Sequence, residues 1–324
     1  MTIILESTVL LNIKNLRKYF DVRDATGKKT LLRALDGVTF DINRGETLGI
    51  VGESGCGKTT LGRTILRLAD PDGGSIVYDG EDITRINMRP YRSKMQIIFQ
   101  DPSGSLDPRT RIKDIVAEGL RVNCPEYSKS QREDRVFQLL DSVGLSYDSA
   151  FRYPHEFSGG QQQRICIARA LAVEPEFIVC DEPVSSLDVS YQSQIINLLE
   201  DMQEKLGLTY LFISHDLSVV RHISNRIGVM YLGKMVEYGP SEDVVLNPMH
   251  QYTKALLEAI PVPDPTLGRA MKRKLFEESS DNSVPDIGCR YSRLCENAKQ
   301  RCEEDEPGLV EVSPGHFCAC HKYV

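Results

Sequence analysis

The chain has 324 residues, enough for one large domain with an appendage or for two modest domains. A hydrophobic fraction of 41%, a charged fraction of 26% and a formal net charge of -7 describe an ordinary soluble protein and argue against one whose main task is binding nucleic acid. The sequence has neither an apolar run of membrane-spanning length nor an export signal, so we expect a cytoplasmic protein.

The first part of the chain is predicted to be rich in β-strands. A first strand is expected at residues 10–16, and the polar stretch 21–30 suggests the tip of a hairpin. From 31 to 42 the apolar side chains alternate, as in an antiparallel strand with one buried face. Turn signals on both sides of a short apolar run at 73–80 predict a further strand.

The strongest motif in the chain is a phosphate-binding loop. The pattern G-x-x-x-x-G-K-[ST] is matched at every fixed position by Gly52-Glu53-Ser54-Gly55-Cys56-Gly57-Lys58-Thr59. An apolar run at 47–51 predicts a strand before the loop, and helical spacing from 60 to 68 predicts a helix after it. An ordinary glycine-rich turn is the alternative, and this strand–loop–helix setting argues against it.

The chemistry of the loop follows from its glycines and its lysine. Glycines let successive N–H groups turn inward around a phosphate, and the positive end of the helix dipole points at the same place. We expect Lys58 to reach the β- and γ-phosphates and the Thr59 hydroxyl to ligate Mg²⁺. The chain is therefore predicted to bind a nucleoside triphosphate.

Beyond the loop, strands and helices are predicted to alternate. A buried strand at 96–100 ends in Gln100, and a charged helical stretch from 112 to 145 is expected to be an insertion beside the core. The segment Ser158-Gly159-Gly160-Gln161 opens an amphipathic helix that runs to residue 171.

The next strands end in polar side chains. An apolar strand at 177–182 ends in Asp181 and Glu182, Asp188 precedes a helix at 190–206, and a strand at 208–214 is followed by His215. A lone histidine at a strand end is more often structural, and paired carboxylates can cap a helix. Their order along alternating strands and helices nevertheless predicts a parallel α/β sheet with a site at its carboxyl edge.

The C-terminal part is predicted to end in a separate cysteine-rich segment. A helix is expected at 252–260, followed by a proline-rich break and an exposed linker at 269–283. Five of the nine cysteines crowd into the tail, namely Cys289, Cys295, Cys302, Cys318 and Cys320. In a reducing compartment such a cluster is more often a metal site than a disulfide framework.

In their order, these motifs resemble those of the ATP-binding-cassette (ABC) ATPases, over residues 10–262. The resemblance implies an α/β fold in which a phosphate-loop NTPase core with a parallel sheet carries an antiparallel β subdomain. It also implies a helical subdomain at about 103–165, a linker at 263–288 and a small Cys-rich extension at 289–324.

The resemblance also implies a role for each motif residue. Thr59, Gln100 and Asp181 would hold Mg²⁺, and Glu182 would be the general base, assisted catalytically by Gln100 and His215. The presence of both Glu182 and His215 predicts hydrolysis rather than binding alone. The residues expected to bind ATP, in this subunit or across a dimer, are Phe20, Gly52, Glu53, Ser54, Gly55, Cys56, Gly57, Lys58, Thr59, Thr60, Gln100, Ser158, Gly159, Gly160, Gln161, Asp181 and Asp188.

The adenine contact and the contact with a second subunit involve residues outside the phosphate loop. Phe20 would stack on the adenine, with Tyr19 as the neighbouring alternative, although both rings could simply pack in a sheet. Ser158, Gly159 and Gly160 match the signature motif, which in this family binds the γ-phosphate of ATP held by a second subunit.

Longer matches are similar to the ATPases of oligopeptide and dipeptide permeases, and among them to the second of two paired subunits. They lie at 51–59, 98–102, 105–109 and 153–158, and the C-terminal extension is similar as well. This implies an ATP-hydrolysing subunit of an importer for dipeptides or oligopeptides, on the cytoplasmic face of the cell membrane. Its partners would be two transmembrane permease subunits, a paralogous ATPase subunit and an extracytoplasmic peptide-binding protein, without nucleic acid.

Other functions remain open at this point. Related permeases move nickel or other solutes with nearly the same ATPase. A soluble ABC ATPase acting on nucleic acid or ribosomes is the alternative from another class. Proteins of that class contain either a long coiled-coil insertion or two cassettes in one chain. This sequence has one cassette and a negative net charge.

The spacing of Cys289, Cys295, Cys302 and Cys320 resembles a tail that binds a 4Fe–4S cluster in some of these ATPases. The residues between the first two cysteines lack the prolines usual there, and Cys318 could replace Cys320. Zn²⁺ held by Cys₄ or Cys₃His, with a histidine such as His316 or His321, and unmetallated thiols are the alternatives. We expect a structural role, because a metal can fold a short tail that has little core.

Overall fold

The computed structural model describes residues 8–23, 27, 29–259 and 287–324, so the predicted linker lies almost wholly outside the described residues. The strands are β1 (Val9–Arg23), β2 (Lys29–Asn43), β3 (Thr47–Val51), β4 (Gly73–Tyr78), β5 (Glu81–Asp82), β6 (Met95–Ile98), β7 (Phe177–Asp181), β8 (Thr209–Ile213), β9 (Arg226–Tyr231), β10 (Lys234–Pro240), β11 (Val310–Ser313) and β12 (His316–Cys318).

The α-helices are α1 (Lys58–Ile65), α2 (Pro102–Ser105), α3 (Ile112–Asn123), α4 (Lys129–Ser142), α5 (Gly159–Leu171), α6 (Val189–Leu206), α7 (Leu217–Ile223), α8 (Ser241–Leu246), α9 (Gln251–Glu258) and α10 (Gln300–Glu304). Short 3₁₀ helices span Arg89–Tyr91, Tyr147–Phe151, Pro154–Glu156 and Ser292–Leu294. No helix of the described ranges has the length and apolar character needed to cross a membrane.

The N-terminal strands form an antiparallel sheet in the order β2-β1-β4-β5. β1 and β2 pair from Val9 opposite Asn43 to Arg23 opposite Lys29, which confirms the predicted hairpin. β1 is longer than the expected strand at 10–16, because its polar second half still pairs with β2.

The main sheet has the order β11-β12-β10-β9-β3-β8-β7-β6. Its strands β9, β3, β8, β7 and β6 are parallel, and β10, β12 and β11 continue the sheet in antiparallel fashion. β3, β7 and β8 are buried at every position, which explains their continuous apolar sequences. The predicted parallel core is therefore confirmed.

The two faces of the main sheet contribute to two hydrophobic cores. Along β7, Phe177 and Val179 belong to the core shared with the antiparallel sheet, whereas Ile178 and Cys180 belong to the core shared with the helical part. This alternation is the period-two pattern of a strand covered on both sides.

The middle of the chain is helical, as predicted. α3 and α4 replace the single helical stretch expected at 112–145, and both pack with α5 in one core. A capping box starts α4, where the Ser128 hydroxyl accepts the Gln131 N–H and the Gln131 side chain accepts the Ser128 N–H.

The tail is an extension of the main sheet, a feature that the sequence did not predict. β12 pairs with β10, placing Glu237 opposite Cys318 and Tyr238 opposite Phe317, and β11 pairs with the other edge of β12. Glu237 is fully buried at this junction and contacts His316. The tail is thus joined to the cassette by backbone pairing and by a buried polar contact.

Candidate active site

Glycines shape the phosphate loop, at Gly52 and Gly57 because a side chain would not fit and at Gly55 because of its backbone conformation. A Cβ atom at Gly52 would lie 2.2 Å from the Met230 carbonyl oxygen, and one at Gly57 would lie 2.2 Å from the Ala34 carbonyl oxygen. Gly55 has a positive φ of 82° and open space where its Cβ would be. The loop is therefore packed against its neighbours at both ends and open in the middle.

Lys58 is buried and turned toward the backbone of its own loop. Its Nζ donates to the carbonyl oxygens of Gly52 at 2.7 Å and Glu53 at 2.9 Å. α1 begins at this residue, so the free N–H groups of the helix start face the same loop. A positive charge and backbone donors are thus concentrated where the sequence predicted phosphates.

Thr59 and Asp181 meet across the end of β7. The Thr59 hydroxyl donates to Asp181 Oδ1 at 2.9 Å, and the carboxylate is buried. Burial raises the pKa of Asp181, partly offset by the Thr59 hydrogen bond and by nearby positive charges such as Arg63. Two hard oxygen donors at this separation fit the ligand preference of Mg²⁺.

Glu182 is the centre of a three-residue contact at the carboxyl edge of the sheet. Its Oε2 lies 2.9 Å from Gln100 Nε2 and 3.1 Å from His215 Nδ1. The three residues follow β6, β7 and β8, which are adjacent parallel strands, so their side chains emerge at the same edge. The structure brings together the glutamine, glutamate and histidine that the sequence predicted.

The backbone of Glu182 has an unusual conformation. Its φ is 46°, in the left-handed region that residues with a side chain seldom occupy, and its N–H donates to the Ile213 carbonyl oxygen at 2.9 Å. A residue held in such a conformation by its surroundings often lies at a functional site. Here the conformation ends β7 and directs the chain away from the sheet.

The signature segment starts α5. The Ser158 hydroxyl accepts the Gln161 N–H at 3.4 Å, and Gln161 Oε1 accepts the Ser158 N–H at 3.1 Å. Gly160 packs against the Tyr191 ring, since a Cβ there would lie 2.7 Å from Cδ1. Ser158 and Gly159 are exposed, so the start of this helix faces solvent in the single chain.

Asp188 caps the next helix. Its carboxylate accepts the Tyr191 N–H at 3.1 Å and so begins α6. The expected role of this residue beside a second subunit stays a prediction, as does that of the signature segment.

The two aromatic candidates for adenine stacking differ in their surroundings. The Tyr19 hydroxyl donates to Asp36 Oδ1 at 2.8 Å and so is tied to its own sheet. Phe20 is exposed, with Lys18 Nζ 5.2 Å from its ring centroid. Phe20 is therefore the ring left open for a base, and its role stays a prediction.

The phosphate loop also has contacts that no motif indicated. The Glu53 N–H donates to the Tyr252 hydroxyl at 2.9 Å, and the Gly233 N–H donates to the Cys56 carbonyl oxygen at 2.8 Å. Sequence reasoning missed both residues, because a contact 199 positions away leaves no local pattern.

The expected metal site in the tail is not supported by the geometry of the described residues. Among residues 8–23, 27, 29–259 and 287–324, no group of three or more His, Cys, Asp or Glu side chains is arranged to hold a metal ion. His316 Nε2 is engaged by Glu237 Oε1 at 2.8 Å, and His321 Nε2 contacts the Asp305 carbonyl oxygen at 2.8 Å. The two histidines considered as ligands thus have other partners.

The surroundings of Cys289 include other cysteines of the tail. Burial raises the pKa of Cys289 to about 11, and the neighbouring thiols of Cys302, Cys320 and Cys295 add to the shift. The Cys289 N–H also donates to the Cys302 carbonyl oxygen at 2.7 Å. Cys318 differs from the others in that it lies within β12 and is fully buried.

Two sequence families match the chain. Residues 35–185 match the family described as ABC transporter, and residues 236–302 match the family described as oligopeptide/dipeptide transporter, C-terminal region.

Similar proteins and structures agree with these matches. The oligopeptide transport ATP-binding protein AppF of Bacillus subtilis is 48% identical to this chain, over 97% of each sequence. The oligopeptide transport ATP-binding protein OppF of the same organism is also 48% identical, over 96% of each sequence. A dimeric ATP-binding cassette bound to ADP and Pi, MJ0796, has a TM-score of 0.64 and 29% identity over 72% of this chain and 99% of its own. The cassette cbiO1 of Clostridium perfringens has a TM-score of 0.64 and 28% identity, over 74% of this chain and 92% of its own. The predicted fold class is confirmed.

Proposed function

Since the chain belongs to the ABC transporter family, whose members hydrolyse ATP, we propose that it is the ATP-hydrolysing subunit of an importer for dipeptides and oligopeptides. The observation that carries the proposal is similarity to two oligopeptide transport ATP-binding proteins along nearly the whole chain, the tail included. The C-terminal family match supports it independently, because it covers residues outside the nucleotide core.

Nucleotide binding would use groups from two sides of the site. Phe20 would pack on the adenine, and the N–H groups of Gly52–Thr60 would surround the phosphates. Lys58 would exchange its contacts with Gly52 and Glu53 for the β- and γ-phosphates, since those carbonyl oxygens bind it only weakly compared with an anion. Thr59, Asp181 and Gln100 would hold Mg²⁺, which neutralises charge on the phosphates.

Hydrolysis would depend on the contact centred on Glu182. Its carboxylate can accept a proton from the attacking water, while Gln100 and His215 fix its orientation through the 2.9 and 3.1 Å contacts. His215 remains more than half exposed and so can also approach a phosphate oxygen. These residues position a water and take its proton.

A second subunit would complete the site. Ser158, Gly159, Gly160 and Gln161 would contact the γ-phosphate of ATP bound by the partner, because an exposed helix start with free N–H groups suits an anion. Asp188 would lie at the same interface. We propose a paralogous ATPase subunit as that partner, two transmembrane permease subunits and an extracytoplasmic peptide-binding protein. The chain would then work at the cytoplasmic face of the membrane.

The proposal is tested with the complete transporter in proteoliposomes. We expect a short peptide, presented by the binding protein, to stimulate ATP hydrolysis and to be taken up, and Lys58→Ala to abolish both. Stimulation of hydrolysis by Ni²⁺ and uptake of Ni²⁺, without either effect for peptides, would overturn the assignment of peptides as the solute. The ATPase assignment would remain intact. Hydrolysis by Lys58→Ala at the parental rate would overturn the assigned nucleotide site.

For the tail we propose a 4Fe–4S cluster held by Cys289, Cys295, Cys302 and Cys320. The thiols of Cys302, Cys320 and Cys295 lie near enough to Cys289 to raise its pKa, and the Cys289 N–H donates to the Cys302 carbonyl oxygen. These contacts support an approach of the four side chains, although they do not surround a single ion. In such a cluster each thiolate binds a different iron, so the thiols need not approach one common atom as they must around Zn²⁺. The cluster would stabilise the folded tail.

This part is tested by anaerobic purification followed by iron, sulfide and zinc analysis. About four irons and four sulfides per chain, lost in Cys302→Ser, are expected for a single 4Fe–4S cluster. Stoichiometric zinc or the absence of any metal would overturn the proposal of a 4Fe–4S cluster. Neither result would affect the ATPase assignment.

A further inference from the structure

The phosphate loop is held from outside its motif by a buried tyrosine. The Glu53 N–H donates to the hydroxyl of Tyr252, a residue of α9 whose side chain is fully buried. The carbonyl oxygen of Glu53 accepts Lys58 Nζ at 2.9 Å. Tyr252 therefore fixes the residue that in turn holds the phosphate-binding lysine.

The ring of Tyr252 is packed against the start of the tail. Its centroid lies 5.5 Å from that of Tyr291 and 4.5 Å from that of Tyr231, and the Tyr231 and Tyr291 rings meet edge to face at 5.3 Å. Aromatic rings in contact at these distances stabilise one another beyond the area that they bury. The position of Tyr252 thus depends on Tyr291.

A second connection runs through the neighbouring residue, Arg290. Its guanidinium is almost fully buried and donates to the Leu232 carbonyl oxygen. The same peptide group carries the Gly233 N–H, which donates to the Cys56 carbonyl oxygen at 2.8 Å. Arg290 and the phosphate loop therefore bind the two ends of one peptide group, and each bond polarises the other.

That peptide group lies in a tight turn that needs support. Leu232 and Gly233 are the central residues of the β9–β10 hairpin, and both have positive φ, 43° and 83°. Positive φ is unfavourable for a leucine. The bond from Arg290 stabilises this conformation and so the position of the Gly233 N–H.

Arg290 also contacts β2, beside the same turn, where the Asp36 N–H donates to the Gly233 carbonyl oxygen at 2.9 Å. It donates to Asp36 Oδ2, while Asp36 Oδ1 accepts the Tyr19 hydroxyl. Although burial by itself raises the pKa of Asp36, the Tyr19 hydrogen bond and the charges of Lys234 and Arg290 bring it below its ordinary value. Tyr19 precedes Phe20, so Arg290 is linked through Asp36 to the strand that carries the ring proposed to stack on the adenine.

We propose that Arg290 and Tyr291 are positioning residues of the ATP site. Through Gly233 and Tyr252 they fix Cys56 and Glu53, which lie on either side of the open segment Ser54–Gly55 of the phosphate loop. The tail thereby sets the affinity of the cassette for ATP, in addition to any role in its own folding. This inference rests on ATP binding at the loop and not on the transported solute.

The first test compares two buried tyrosines in the complete transporter. Tyr252→Phe removes the acceptor of the Glu53 N–H, whereas Tyr210→Phe removes a hydroxyl that donates to the Leu199 carbonyl oxygen at 3.1 Å, away from the loop. Loss of one such bond predicts a KM for ATP raised about threefold to tenfold in Tyr252→Phe, with kcat changed less than about twofold. Tyr210→Phe should leave KM unchanged although it loses similar stability.

The second test starts from the tail. Arg290→Lys keeps the charge but cannot reach Leu232 and Asp36 together, and the matched control is Arg293→Lys, an exposed arginine of the same segment. We expect a KM for ATP raised about tenfold in Arg290→Lys and unchanged in Arg293→Lys. Tyr291→Ala should raise KM as well, and Tyr291→Phe should restore it because the ring contact is kept.

Hydrogen exchange distinguishes this inference from a purely local effect on the tail. In Arg290→Lys, amide exchange of residues 50–58 should accelerate while exchange of α3 and α4 stays parental. Faster exchange confined to residues 287–324, or a KM equal to that of the matched controls in both tests, would overturn the proposal.

Discussion

Two glutamate–histidine pairs among the described residues have opposite surroundings. At the proposed ATP site, Glu182 Oε2 lies 3.1 Å from His215 Nδ1, and the side chains are 12% and 55% exposed. At the junction with the tail, Glu237 Oε1 lies 2.8 Å from His316 Nε2, and the side chains are 0% and 1% exposed.

The difference lies in what else the carboxylates contact. Glu237 Oε1 accepts the Met249 N–H and Glu237 Oε2 accepts the His250 N–H, both at 2.8 Å, so both oxygens are engaged by protein. Glu182 receives both of its side-chain contacts on Oε2. The same pair of residue types can therefore lie buried between two parts of a fold or remain partly exposed at the proposed hydrolytic site, according to its other hydrogen bonds.

The largest effect is expected on ATP hydrolysis, which should depend on Glu182 and not on Glu237. Glu182→Gln should lower the rate of ATP hydrolysis by about 10²–10⁴-fold, because an amide cannot take a proton from water. Phosphate release by the reconstituted transporter measures this. The exposed Glu242→Gln is the matched control, with a parental rate. A parental rate in Glu182→Gln would remove the proposed difference between the pairs.

For the stability of the fold, the larger effect is expected at the buried Glu237. Glu237→Gln should lower the free energy of unfolding by about 3–5 kcal/mol, because the amide N–H₂ would face a backbone N–H donor at a fully buried position. Urea unfolding measures the change, with Glu242→Gln again as control. A loss smaller than about 1 kcal/mol would mean that the buried pair does not hold the tail to the cassette.

The residue beside this pair predicts a pH dependence of stability. Burial lowers the pKa of His250 to about 4, from 6.5. The unfolded chain thus binds more protons between these values, so a contribution of about 3 kcal/mol is complete above about pH 6.5 and is lost as the pH falls to about 4. Urea unfolding across this range should show a steeper decline for the parent than for His250→Asn.

His250→Asn is chosen because it keeps a side-chain acceptor for the Tyr252 N–H, which His250 Nδ1 accepts at 3.1 Å. Equal pH dependence in parent and variant would show that this histidine does not couple the junction to pH.

The smallest expected effect concerns the exposed histidine. His215→Ala should lower the rate of hydrolysis about 10–100-fold, the loss of one hydrogen bond to a charged group, and change the unfolding free energy by less than about 0.5 kcal/mol. His316→Ala should do the opposite, with lowered stability and a parental rate per folded molecule. Two histidine variants with the same phenotype would contradict the comparison.

The sequence predicted the parts of the site that are local in the chain. The phosphate loop, Asp181, Glu182 and the strand-end residue His215 each follow a strand or open a helix, and short-range patterns identify such positions. The same reasoning left out α7, β9, β10 and α8, because this region carries no phosphate motif, although β9 and β10 form a local hairpin.

Tertiary structure alone revealed how the tail is attached. Tyr252 lies 199 residues from the loop residue it contacts, and Arg290 lies 254 residues from Asp36. A single sequence does not encode such pairs as a pattern, since any buried tyrosine or arginine could find another partner. The addition of β12 to β10 was likewise unpredictable, because a three-residue strand has almost no periodic signal.

What the sequence determined by itself is the chemistry of the ATP site, because glycine geometry, the loop lysine and the strand-end carboxylates require those residue types at fixed spacing. What only the tertiary structure decided is which residues support that site, and which of two similar glutamate–histidine pairs is exposed. Burial and long-range hydrogen bonds arise when distant segments pack together, and they determine whether a carboxylate is enclosed by protein or left open to solvent.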